Sequence, residues 1–158
     1  MPSVEISNGV ARHKLPQIPK EEIPEFIRYV QTLSLPDGRN DYNVGMTSDV
    51  AVTAAKLPAK ALKPIQKAVD KEKVRGMVQK FDQIKNDVLI VSQDNQILDG
   101  HHRWLAIMEK DPKHLMRVIR VQLPIKVLVQ AAHDFEGSHI RKLGEMIKLV
   151  KLLPQGLQ

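Results

Sequence analysis

The sequence contains no cysteine, which excludes disulfides, zinc-thiolate sites, iron–sulfur clusters and thiol nucleophiles as chemistry of this chain. Aromatic residues make up only 4% of it, leaving few rings on which unpaired bases could stack, so broad coating of single-stranded nucleic acid fits poorly. No apolar run approaches the roughly 18 to 20 residues that span a bilayer. Met1–Val10 has no basic region followed by a hydrophobic stretch. A cytoplasmic protein with no membrane partner is the expectation. Internal repeats and low-complexity tracts are also missing.

What is present bounds the rest. With 158 residues, 42% of them apolar, there is material for one core plus a modest extension. A formal charge of +6 and a pI near 9.6 favour an anionic partner, because clustered Lys and Arg bind phosphates and release counterions.

Residues 1–20 have no sustained periodicity and include Pro2, Gly9, Pro16 and Pro19, which predicts an irregular arm. Ile23, Phe26, Ile27, Val30 and Leu33 fit one face of a short helix ending near Ser34, with Pro24 tolerated in its first turn. Leu35–Ser48 is rich in Pro, Asp, Asn and Gly and reads as a long loop. Alternation at Val50 and Val52 predicts a strand, and Leu57–Gln66, broken by Pro58 and Pro64, reads as extended chain. Asp70 is placed to cap a helix from Lys71 to about Phe81, with Val74, Met77, Val78 and Phe81 inward.

Val88–Val91 is a continuous β-favouring run of the length expected for a strand buried on both faces. Gln93-Asp94-Asn95 and Gln96–Leu98 make it the first arm of a hairpin. Helix is expected from His101 to about Lys110 with Trp104, Leu105 and Met108 inward, stopping before Pro112. Arg117–Leu123 returns as a strand, with Ile119, Val121 and Leu123 on one face and Arg120 and Gln122 on the other. Pro124 opens a helix using Ile125, Leu128, Val129 and Ala132, closed by Gly137. A last helix follows from Ser138. The order predicts an α+β fold, a small mixed sheet flanked by helices, divided as arm, short helix and loop (1–48), core (49–137) and C-terminal helix (138–158).

The sharpest local feature is Asp99-Gly100-His101-His102-Arg103, a sharp turn between a strand ending at Leu98 and a helix. The first amides of a helix have no internal partner and carry partial positive charge, so they attract phosphate. Gly100 accepts positive φ and lets an anion approach the backbone, and Arg103 offers a permanently charged, bidentate contact. His102 can donate a further hydrogen bond, and His101 and His102 are candidates for acid–base work. Asp99 caps the helix or orients a hydroxyl or a metal ion at the edge of the site. Lys60, Lys63, Lys67 and Lys73 are candidates for a basic footprint around it. Against these stands a plain Asp-Gly hairpin turn, with Trp104 simply in the core. Adjacent His101 and His102 could suggest a metal pair, a reading disfavoured because consecutive helical residues diverge by about 100° and no Cys or closely spaced Asp or Glu completes a ligand set.

Lys60–Ile107, with Leu62-Lys63-Pro64-Ile65-Gln66, a helix, the strand Val88–Val91, the hairpin and then ILDGHHRWLA, resembles the core of the ParB/sulfiredoxin superfamily. ParB-type partition proteins have a Gly-Glu-Arg-Arg box at this turn that binds cytidine triphosphate. Gly100, Arg103 and Ala106 match it, while His101 and His102 stand where the box has Glu and Arg. Sulfiredoxins have Gly-Cys-His-Arg; Gly100, His102 and Arg103 match, but His101 replaces the reactive Cys, which excludes sulfinic acid reduction. Asp-Gly-His-His-Arg is similar to the form in ADP-dependent free serine kinases and in ParB-like proteins of phages, which also resemble this chain at Leu15-Pro16-Gln17-Ile18 and near Pro124.

The resemblance implies a nucleotide-phosphate-binding domain, with phosphotransfer using ATP or ADP and Mg²⁺ as one activity. Asp99 is then the best-placed carboxylate to take a proton, with Asp70 and Glu72 more remote. The alternatives are a DNA-binding or nuclease module, and a non-catalytic phage component, in the host cytoplasm or the virion, that keeps the fold and assembles with phage proteins or with itself.

Overall fold

A computed structural model describes residues 3–33 and 50–137 of the chain. The expected loop over Leu35–Ser48 and the expected helix after Ser138 lie outside the described residues. Within them the architecture is α+β, a small mixed sheet with helices on both faces.

Three strands form the main sheet. Strand β2 (Val52–Pro58) pairs antiparallel with β5 (Leu115–Val121), which pairs parallel with β4 (Leu89–Val91), giving the order β2-β5-β4. A parallel pair needs a crossover, and helix α4 (His101–Lys110) supplies it between β4 and β5. All three residues of β4 are buried, as its unbroken apolar run requires. Ile90 faces one core, with Phe26 and Val30 of helix α1 (Ile23–Gln31), Val121, Leu123, and Leu128, Ala132 and Phe135 of helical residues 125–137. Leu89 and Val91 face the other core, with Met116, Val118, Trp104 and Ile107. Trp104 satisfies its indole by donating to the Ala59 carbonyl at 2.8 Å.

Val121 and Leu123 join the first core as expected, although the strand starts at Leu115, two residues before the expected Arg117, and ends at Val121 instead of Leu123. Their neighbours Met116 and Val118 are buried on the opposite face, so β5, the central strand, is covered on both sides. Helix α2 (Lys71–Gln79) starts at the expected cap, where Asp70 Oδ1 accepts from the amides of Glu72 and Lys73; such a cap contributes about 1 kcal/mol. It stops at Lys80, and a short helix α3 (Phe81–Ile84) follows. The expected hairpin arm after β4 is reduced to a bridge between Val91 and Ile97, around a turn in which Asn95 has a φ of 67°.

The arm expected to be irregular is only partly so. Ser3–Glu5 forms β1, antiparallel to β3 (Ala68–Asp70), and 3-10 turns occupy Arg12–Lys14 and Lys20–Glu22. Val10 exchanges backbone hydrogen bonds with Ile65 and Lys67, which brings the arm alongside the start of α4. Leu57–Gln66 is likewise not simple extended chain, since β2 runs to Pro58 and a 3-10 turn takes Ala59–Ala61.

Candidate anion-binding site

The chain passes from β to α at Gly100, whose φ is +101°. A side chain there is opposed twice over. The conformation is left-handed, and a Cβ would lie 2.3 Å from Leu89 Cδ2 and 2.9 Å from Arg103 Nη2. The guanidinium of Arg103 therefore folds back over bare backbone. Trp104 N–H reaches the Gly100 carbonyl as the first intrahelical bond, and the amides of His101, His102 and Arg103 have no partner among the described residues.

These groups border a cleft of about 440 Å³. Four cationic side chains line it, Arg12, Lys20, Lys73 and Arg103, against the carboxylates of Asp87 and Asp99, and Ile18, Ile23, Pro24, Met77, Val88 and Ile119 form its apolar wall. Arg103 Nη1 donates to Asp87 Oδ2 at 3.3 Å, and Lys20 Nζ lies 3.5 Å from Asp87 Oδ1. The Arg103 Nε is buried with no hydrogen-bond partner. A buried N–H without an acceptor costs on the order of 1–3 kcal/mol, so this guanidinium is under-satisfied as it stands.

Family models, curated proteins and solved structures give no match to this chain.

The two histidines sit deeper than the motif implied. His101 is 2% exposed, and its Nε2 accepts the amides of Ile65 at 2.9 Å and Gln66 at 3.1 Å. His102 Nε2 accepts the amide of Asp70 at 3.0 Å. An accepting Nε2 fixes the neutral tautomer with its proton on Nδ1. Burial, helped by the neighbouring His102, pushes His101 down to about 4. Burial and then the cations of Lys73 and Arg12, opposed by Asp70, push His102 to about 4. With basicity this low, the geometry gives both rings an accepting and positioning role near pH 7; what they can offer an anion is Nδ1–H. Both border the cleft, and together they tie the start of α4 to the segment leading into α2.

Asp99 also differs from the expectation. It does not cap α4, whose N-cap is Gly100. Its Oδ1 accepts the Gly100 amide at 2.8 Å and its Oδ2 accepts the Ile18 amide at 3.0 Å. Asp99 thus clamps the arm to the turn, with both oxygens engaged.

The expected basic footprint divides. Lys73 lines the cleft, and Lys67 joins it in the adjoining cavity. Lys60 and Lys63 line neither. Asp70 caps α2 and Glu72 pairs with Arg75 at the surface, so neither carboxylate is in the cleft. Arg12, Lys20 and Asp87 were not singled out from sequence. Arg12 and Lys20 lie in a segment without periodicity, and only the pairing of that arm with residues 65–70 brings Arg12 to the site. Among the described residues no group of three His, Asp or Glu is arranged to hold a metal ion, and no helix is long and apolar enough to cross a membrane.

Proposed function

We propose that this chain is a nucleotide-phosphate-binding domain of the ParB/sulfiredoxin-like kind, with phosphates held at Gly100–Arg103. One observation carries the reading: three unpartnered amides, a left-handed glycine that no other residue could replace without collision, and an under-satisfied arginine border the same cleft. The amides and the guanidinium are donors lacking acceptors among the described residues, and the bare glycine lets a phosphate oxygen approach them. The cleft volume suits a nucleoside diphosphate, and its apolar wall suits a base.

The fit to ADP or ATP is good at the phosphate end. The Arg103 guanidinium and the amides of His101–Arg103 would hold the phosphates, with Lys20 and Lys73 adding charge. Mg²⁺ would be bound through phosphate oxygens and would neutralise charge in a transfer step. Asp99, whose two oxygens accept the Gly100 and Ile18 amides, holds the turn in place; Arg103 would exchange Asp87, the other carboxylate of the cleft, for the incoming phosphate.

A second reading, binding of a nucleic-acid backbone, draws on the adjoining cavity lined by Arg12, Lys67 and Lys73. Calorimetric titration separates the two. The expected result is micromolar-range binding of ADP or ATP that is enhanced by Mg²⁺ and lost in Arg103→Ala. Binding of oligonucleotides alone, with steep salt dependence, would select the second reading, and no binding of either would refute both.

A further inference from the structure

Next to the cleft lies a second cavity of about 460 Å³, lined by Ser3, Arg12, Lys67, Asp70, Lys73 and His102 among others. It shares Arg12, Lys73 and His102 with the first. Three elements converge there: the 3-10 turn Arg12–Lys14, the residue before β3, and the first turn of α2. Their placement is not accidental to the fold, because Lys67 donates its amide to Val10 and accepts from Ile6 and Ser7, fixing the arm against β3.

The charges in this cavity are unbalanced. Arg12, Lys67 and Lys73 have no acidic partner among the described residues. The single carboxylate, Asp70, is engaged by the Glu72 and Lys73 amides through Oδ1. Asp70 offsets one of the three positive charges, and the remaining excess, carried on exposed side chains, favours an oxyanion. The influence of Arg12 and Lys73 on His102 marks the shared wall as the point where their fields meet.

We propose that this cavity is a second phosphate site, formed by Arg12, Lys67 and Lys73 and contiguous with the first across His102. Its phosphate comes from one of two sources, the outer phosphate of a nucleotide seated in the cleft or a separate phosphorylated ligand beside it. The site itself does not depend on the nucleotide reading; only the first source does.

Amide-resolved NMR on the full chain tests it, with inorganic orthophosphate as the probe and chloride at matched ionic strength as the control. Orthophosphate is expected to move the amide signals of Lys67–Asp70 and Lys73. Lys67→Ala, an exposed position, should weaken that response about tenfold, the scale of one lost charge-assisted contact, while the response at Gly100–Arg103 persists. Lys67→Gln gives the same answer should the alanine variant fold poorly. Arg103→Ala should do the reverse. If Arg103→Ala leaves the Gly100–Arg103 response intact while the Lys67-dependent one stands, the nucleotide reading falls and the second site remains. Equal shifts with chloride, or shifts at Lys67–Asp70 that neither Lys67→Ala nor Arg12→Ala reduces, would overturn the site. ATP competing with orthophosphate at Lys67–Asp70 identifies the outer phosphate as the source, and orthophosphate binding alongside saturating ATP identifies a separate ligand.

Discussion

His101 receives the amide N–H of Ile65 on its Nε2 at 2.9 Å, wholly inside the protein and across 36 positions of sequence. The same nitrogen takes the Gln66 amide at 3.1 Å, so one neutral ring satisfies two buried donors that would otherwise be stranded. Replacement by an apolar residue leaves both without an acceptor. His101→Leu is expected to lower stability by about 2–4 kcal/mol at pH 7, measured by urea denaturation.

Acid should act through the same bonds. Folded-state values near 4 for His101 and His102 lie below the ordinary 6.5, so the unfolded chain takes up protons first as pH falls. Stability is full above pH 6.5 and is lost progressively down to about pH 4, by roughly 3 kcal/mol for His101. Denaturation curves at pH 7 and pH 4.5 check this, with His101→Leu showing a smaller difference between the two than the unmodified chain. An equal difference in both proteins would show that His101 is not held neutral.

Two glycines make a matched test of backbone geometry. Gly100→Ala meets both a left-handed φ and Leu89 at 2.3 Å, and should destabilise by about 2–4 kcal/mol. Gly76 lies inside α2, and a Cβ there meets nothing within 4 Å. Gly76→Ala should therefore stabilise by about 0.5–1 kcal/mol, through helix propensity and a less flexible unfolded chain. Thermal unfolding of both variants decides, and the prediction fails if the two shift in the same direction.

The local signals were legible in the sequence where one segment alone determines the outcome. The cap at Asp70, the doubly buried run Leu89–Val91 and the β-to-α passage at Gly100 all follow from residues within a few positions of each other. Pairing of β1 with β3 did not, because three exposed residues carry no periodicity and their partner lies more than sixty positions away. The histidines were misleading for a related reason. A polar pair at a helix start looks solvent-facing in sequence, and only the packing of residues 65–70 against α4 shows that each ring is an acceptor for backbone amides. Arg12 became part of the site through that same long-range pairing.

Arg103 and Asp87 give the sharpest test of the cleft. Their single contact of 3.3 Å joins groups that are each about one-quarter exposed, so the carboxylate partly neutralises the cation that a phosphate needs. Asp87→Ala removes a negative charge from the cleft and frees the guanidinium. Affinity for ADP or inorganic pyrophosphate should therefore rise about three- to tenfold, and more at low salt than at high salt, since the effect is electrostatic. Arg103→Ala should lower affinity tenfold or more. The exposed Lys20 end of the Asp87 pairing is worth less than about 1 kcal/mol of stability, while loss of the partly buried contact to Arg103 should cost about 1–3 kcal/mol. Titration calorimetry at two salt concentrations measures all of this. Weaker binding in Asp87→Ala, with the fold intact, would mean that the carboxylate holds Arg103 in its binding pose instead of competing with the ligand for it.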